Sequence, residues 1–224
     1  MLKRIFSYIL PVNILKKNST LSKSLEVTWA NGELVLDSAN TNYSYGSLQR
    51  ILRKGLKSIG YEKIIEMEHI LVLGVAGGSV IKTLANEIKF EGKITGVEID
   101  SSIIALANEY FQLNQITNLD IVIDDAFEFV LKTKEKYDLV VIDIFQDTNM
   151  PNFLFEEFFI NRIGFLLREK GFILFNTMCL KENDNIRNEQ YVSTFTKKGF
   201  IVRKIPRVEQ HNELIIIEKT KNPN

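Results

Sequence analysis

Residues 70–80 read Ile70-Leu71-Val72-Leu73-Gly74-Val75-Ala76-Gly77-Gly78-Ser79-Val80: an apolar run that stops at a glycine-rich turn and leads into a helical stretch. Apolar residues without alternation mark a strand buried on both faces, the kind from which parallel sheets are built. Glycines directly after such a strand let the backbone turn tightly and approach a ligand, and the helix that follows offers unpaired N–H groups to an anion. The turn departs from the dinucleotide-binding G-x-G-x-x-G, because Ala76 and Ser79 stand at its second and third glycine positions.

Moving downstream, four more short apolar runs follow: Ile94-Thr95-Gly96-Val97, Leu119-Asp120-Ile121-Val122-Ile123, Leu139-Val140-Val141-Ile142 and Phe172-Ile173-Leu174-Phe175. Helix-length segments at 80–88, 101–113, 126–133 and 152–167 separate them, which predicts parallel βαβ units. Gly199-Phe200-Ile201-Val202 and Leu214-Ile215-Ile216-Ile217 have only a short polar loop between them, too short for a crossover, so these two strands are expected to be antiparallel. Upstream, Leu25 to Ala30 and Glu33 to Asp37 flank Asn31-Gly32, a two-residue hairpin signal. A helix expected over 45–58 carries Leu48, Ile51, Leu52 and Leu56 at helical spacing and is read as joining that hairpin to the core. The expected fold is α/β: a doubly wound, mostly parallel seven-stranded sheet with a terminal antiparallel hairpin, preceded by a small N-terminal β-hairpin. Residues 1–44 are assigned to the hairpin segment and 45–220 to a nucleoside-binding domain.

Composition narrows the function. At 224 residues, 45% hydrophobic and 25% charged, the chain suits one globular core. Lys+Arg and Asp+Glu are both 28, so no broad electrostatic footprint for nucleic acid is expected. The apolar residues of the first fifteen are interrupted by Pro11 and Asn13 and are too short for a membrane span, so a cytoplasmic protein is expected. Cys179 is the single cysteine and is read as a buried thiol rather than a reactive nucleophile; His69 and His211 are isolated, and no metal site is expected.

The chemistry-bearing residues stand where the strands end. Glu98 closes the second run about 20 to 25 residues after the glycine turn, where an acid accepts from a ribose diol, while Asp100 precedes Ser101-Ser102 as a helix cap. Asp124-Asp125-Ala126 close the third run and suit an adenine edge, with a capping role the competing reading for either acid. Asp143 closes the fourth run, where ligands bind in open α/β sheets, and Asp147 follows four residues later; a structural acid and a solvated loop acid are their respective alternatives.

Val97-Glu98-Ile99-Asp100, Asp125-Ala126-Phe127-Glu128-Phe129 and Tyr137-Asp138-Leu139-Val140-Val141-Ile142-Asp143 together resemble the spermidine synthase (aminopropyltransferase) family on the class I S-adenosylmethionine methyltransferase-like fold. The resemblance implies a ribose acid at Glu98, an adenine-reading acid at Asp125 with the Ala126 amide, and a base at Asp143, with Asp147 as a second acid. It also implies a cradle of Gly74, Ala76, Gly77 and Gly78, S-adenosylmethionine or its decarboxylated form as the donor, an amine or polyamine acceptor and a homodimer. Three departures accompany it. The family's acid in the glycine turn is replaced by Gly77, its Tyr-His-Glu run by Tyr45-Gly46-Ser47, and its second carboxylate after Asp143 is displaced to Asp147. A turn without its acid favours the carboxylate of the intact donor, so methyl or related alkyl transfer ranks ahead of aminopropyl transfer. A non-catalytic nucleoside-binding module is the second class, and a dinucleotide oxidoreductase a weaker third.

Overall fold

The computed structural model describes residues 2–19, 21, 24–37, 42–145, 149–209 and 211–220. The chain opens with α1 (Leu2–Phe6) and β1 (Val12–Lys17), followed by β2 (Leu25–Ala30) and β3 (Glu33–Asp37). Asn31 and Gly32, at φ 50° and 78°, close the expected hairpin with the pair of left-handed residues that such a turn requires. That hairpin is the middle of a four-stranded antiparallel sheet in the order β1-β2-β3-β4, with β4 (Asn42–Ser44) on the far edge. Neither edge strand was legible in advance: β1 follows Pro11 and ends in two lysines, and β4 is three residues long.

The remaining elements are α2 (Gly46–Ile59), α3 (Tyr61–Ile65), β5 (His69–Leu73), α4 (Ser79–Lys82), which continues as a π-helical turn over Thr83–Ile88, and β6 (Lys93–Glu98). Then come α5 (Ser101–Phe111), β7 (Leu119–Ile123), α6 (Ala126–Lys132), β8 (Tyr137–Ile142), α7 (Glu157–Leu166) and β9 (Leu167–Met178). The chain finishes with α8 (Glu182–Lys197), β10 (Ile201–Val208) and β11 (Asn212–Glu218). The large sheet has the order β10-β11-β9-β8-β5-β6-β7; β7, β6, β5, β8 and β9 run parallel, and β11 and β10 close it antiparallel. All seven expected strands are present, with the terminal hairpin in the expected sense.

Every residue of β5 is buried, as its unbroken apolar run requires. Ile70 and Val72 face one layer, with α2 and α4; Leu71 and Leu73 face the other, with α7 and α8. Each fully buried leucine or isoleucine stabilises the fold by about 1.5–3 kcal/mol. The helix at 46–59 does not join the hairpin to the core as expected. Its Leu48, Ile51, Leu52, Leu56 and Ile59 belong to the core of the large sheet, and the lack of a side chain at Gly55 makes room for Leu174 of β9. The hairpin is seated instead on α5, where Leu25, Val27 and Leu36 cluster with Ile103, Leu106 and Phe111. Among the described residues no helix is long and apolar enough to cross a membrane.

Candidate active site

The chain lays β5, β6 and β7 outward in one direction and then returns to place β8 on the other side of β5. Brought side by side in this way, β5 and β8 diverge in their connections at their carboxyl ends, the switch point where open α/β sheets bind ligands. Gly74 and Asp143 are the first residues beyond the two strands. The Asp143 N–H donates to the Leu73 carbonyl at 2.9 Å, and the Gly74 N–H to the Val97 carbonyl at 3.0 Å. Gly74 has φ 87°, and any side chain there would run into the Asp143 carbonyl oxygen, so both conformation and space restrict the position to glycine.

A cleft of about 350 Å³ opens at this point, within the range of small-molecule sites. It is lined by Gly74, Ala76, Glu98, Asp125, Ala126 and Asp143, so six of the nine expected site residues meet there. Gly77 and Gly78 are not among its lining residues. A Cβ on Gly77 would lie 2.8 Å from Ser44 Cβ and 3.2 Å from Tyr45 Cε2, and one on Gly78 would meet Leu113, so these glycines face the protein rather than the cleft. Asp147 lies outside the described residues.

The glycine turn is tied from two sides. Glu98 Oε2 accepts from the Val75 and Ala76 amides at 3.1 and 3.0 Å, and Oε1 from the Asp100 amide at 3.1 Å. These contacts hold Ala76 at φ 48°, left-handed for a residue with a Cβ. A carboxylate has about four acceptor positions; three are thus engaged, leaving one on Oε1. Burial pushes the Glu98 carboxyl up, and the three amides oppose that shift. From the other side Ser44 Oγ accepts from the Ser79 amide at 3.2 Å, and the Tyr45 hydroxyl donates to the Gly77 carbonyl at 3.0 Å. The helix start expected to receive an anion is therefore capped in part by the protein's own β4–α2 junction.

Asp100 is the expected N-cap, accepting from the Ser102 amide at 2.9 Å. Asp125 caps α6 through one oxygen, Oδ1, which accepts from the Phe127 and Glu128 amides at 2.7 and 3.4 Å, while the residue also lines the cleft. The capping role weighed for it is thus seen, at a position that also borders the cleft. Asp143 is half-buried on the cleft floor, and its carboxyl is pushed up to about 7 by desolvation, partly offset by the hydrogen bond from Asn176, with the nearby Glu98 charge adding to the rise.

Sequence reasoning missed Asn176, Asn212 and Glu209, all of which line the cleft. The available signal for Asn176 was a polar residue ending the Phe172-to-Phe175 run; Glu209 sits in the turn of the terminal hairpin and Asn212 opens β11. His211, read as isolated, is exposed at the same rim. Glu98, Asp124, Asp125, Asp143 and Glu209 give the lining five carboxyl groups, with no Lys or Arg among the described lining residues. Glu209 is paired with Arg50 at 2.8 Å. Among the described residues no group of three or more His, Cys, Asp or Glu is placed to hold a metal.

Comparison with solved structures places this architecture. A probable spermidine synthase from Corynebacterium glutamicum superposes with a TM-score of 0.73 at 13% identity, over 92% of this chain and 79% of that one. Human methyltransferase-like protein 13 in complex with SAH gives 0.64 at 20% identity, over 80% of this chain and 85% of that one. The class is thus the Rossmann-like fold of the S-adenosylmethionine methyltransferases, with its switch-point cleft. In sequence, a polyamine aminopropyltransferase from Vibrio vulnificus is 30% identical over 160 residues, 70% of this chain and 52% of the relative. The model of the spermine/spermidine synthase domain matches residues 51–223, and the chain belongs to that family. It spans about half the length of the curated relatives it matches.

Proposed function

We propose that the cleft binds an S-adenosylmethionine-type sulfonium nucleoside and that the protein is a transferase, moving a methyl or related alkyl group to a small amine. The observation that carries this reading is the convergence of Glu98, Asp125 and Asp143 on one cleft beside the glycine turn, at the switch point of the sheet. The lining suits the ligand. The four lining carboxyl groups other than the Arg50-paired Glu209, with no Lys or Arg among the described lining residues, favour positively charged molecules, and both a sulfonium donor and an alkylamine are cations at neutral pH.

Within that cleft Glu98 uses its remaining acceptor position for a ribose hydroxyl. Asp125 reads the adenine amine with the oxygen that does not cap α6, beside the Ala126 amide. Gly74 and Ala76 admit the amino-acid end, while Gly77 and Gly78 shape the turn from behind. When bound, the donor supplies an electrophilic carbon on a charged sulfur. Asp143 holds the acceptor amine and takes its proton, for which a carboxyl near 7 is well matched at physiological pH. Asp147, four residues on in the sequence, is the second acid of this reading. Orientation supplies most of the acceleration.

The ranking of methyl over aminopropyl transfer rests on Gly77. The acid that the family uses for the free amine of a decarboxylated donor is missing there, and Ser44 occupies the space its side chain would need. Aminopropyl transfer is the second reading, favoured by the number of cleft carboxyl groups and by the Ser79 amide being engaged by Ser44, which removes one donor that a carboxylate would use. Titration calorimetry with intact and decarboxylated S-adenosylmethionine, followed by mass spectrometry of products with a panel of amines, separates them. Binding of the intact form with a methylated product is expected. Tight binding of the decarboxylated form alone would reverse the ranking, and failure to bind either would remove the transferase reading.

A further inference from the structure

Behind Asp143 the sheet carries a chain of buried side-chain amides. Asn176, fully buried on β9, donates from Nδ2 to Asp143 Oδ1 at 2.9 Å. Its own Oδ1 accepts from Asn212 Nδ2 on β11, also at 2.9 Å. The strands are antiparallel neighbours, with Asn176 opposite Leu214 and Asn212 opposite Met178. Asn212 is 9% exposed, so both amides are withdrawn from bulk water, where an unmade hydrogen bond is costly.

An asparagine beside a carboxylate can present either its NH₂ or its carbonyl oxygen, and only the first attracts. In the arrangement seen, the Asn212 N–H is accepted by Oδ1 of Asn176, which turns the Asn176 NH₂ toward the carboxylate. With Oδ1 so held, Nδ2 is directed at Asp143. We propose that Asn176, its carbonyl oxygen engaged by Asn212, is a positioning residue that anchors one carboxyl oxygen of Asp143 and leaves the other for an acceptor amine. The terminal hairpin, through Asn212, thereby reaches the reacting strand.

The consequence for ionisation follows from the geometry. Asn176 supplies the hydrogen bond that opposes desolvation of the Asp143 carboxylate, and Glu98 is the neighbouring charge that raises it. Asp124 and Asp125 after β7, and Glu209 and His211 in the β10–β11 turn, line the same cleft. Loss of the Asn176 donor leaves burial and these charges without that offset.

The inference rests on Asp143 being the amine-binding base, but its test reads the carboxyl directly. Carbon-13 NMR of the side-chain carboxyl groups, with the Asp143 signal assigned by its loss in Asp143→Asn, is followed against pH in the whole chain. Asn176→Leu is expected to move the Asp143 titration upward by roughly one to two pH units. Asn212→Ala is expected to move it by less in the same direction, because Asn176 then loses the partner of its carbonyl oxygen and holds Asp143 less firmly. Thr177→Val removes an equally buried hydroxyl, which donates to the Glu213 carbonyl at 2.8 Å, and is expected to leave the Asp143 titration in place. An unmoved titration in Asn176→Leu, or equal shifts in Asn212→Ala and Thr177→Val, would overturn the proposal; if Asn176→Leu fails to fold, the second comparison decides. Loss of the transferase reading would show separately, as turnover in Asp143→Asn equal to that of the unaltered chain.

Discussion

Ser44 stands where a side chain on Gly77 would have to go: a Cβ built on Gly77 lies 2.8 Å from Ser44 Cβ, and the Ser44 hydroxyl is itself bonded to the Ser79 amide at 3.2 Å. The missing acid of the glycine turn and the serine of the N-terminal sheet are thus two sides of one packing arrangement. Restoring the acid alone does not restore its site.

Gly77→Asp is therefore expected to destabilise the fold by about 1–3 kcal/mol through overpacking, without gaining affinity for a decarboxylated donor. Combined with Ser44→Gly, which opens the space, the same change is expected to recover stability and to raise affinity for the decarboxylated donor relative to the intact one. Urea unfolding and calorimetry of the single and double variants check both parts.

Asp143→Asn keeps the side chain's shape and removes its ability to accept a proton. Turnover of an amine acceptor is expected to fall by roughly 10²–10⁴-fold. In the unaltered chain the rate is expected to rise through a carboxyl near pH 7, and that acid limb is expected to vanish in the variant. Steady-state rates between pH 5 and 9 provide the measurement.

The same group makes stability depend on pH. Its folded carboxyl lies at about 7 against an ordinary value of 3.8, so the folded chain holds a proton that the unfolded chain has released. This contribution is full below about pH 4 and is lost as pH rises through about 7, since stability falls wherever the folded state binds more protons. Glu98, whose carboxyl is also raised by burial, acts in the same direction. Urea midpoints at pH 5 and pH 8 are expected to differ less for Asp143→Asn than for the unaltered chain; equal differences would contradict the assignment.

Glu98→Gln exchanges one acceptor oxygen for an NH₂ that faces backbone N–H groups. Because Oε2 serves two amides and Oε1 a third, the swap leaves at least one amide unmatched in either orientation. Donor affinity is expected to fall tenfold or more, at about 1–3 kcal/mol for an unsatisfied buried donor. Nucleoside binding by calorimetry, alongside urea unfolding, separates the loss of ribose contact from loosening of the turn.

What the sequence disclosed follows from what periodicity and strand ends record. Strands such as Ile70 to Leu73 and Leu139 to Ile142 are buried on both faces and so stand out as apolar runs, and two acids, Glu98 at the end of β6 and Asp143 just after β8, mark the carboxyl edge of the sheet. Elements held by tertiary contact left weaker traces. Helix α8 is mostly polar and buries only Asn188, Tyr191 and Phe195, and its start is set by Asp184 accepting from the Leu180 and Lys181 amides. The filling of the glycine turn by Ser44 and the Asn212–Asn176–Asp143 chain join residues 33 to 36 positions apart, a relationship that no local pattern encodes.

A crystal structure of the chain with S-adenosylmethionine bound tests the central claim most directly. The expected result places the ribose hydroxyls at Glu98, the adenine amine at Asp125 and the sulfonium methyl facing Asp143 across the cleft. A nucleoside seated away from these three carboxyl groups, or a cleft that stays empty at millimolar donor, would contradict it.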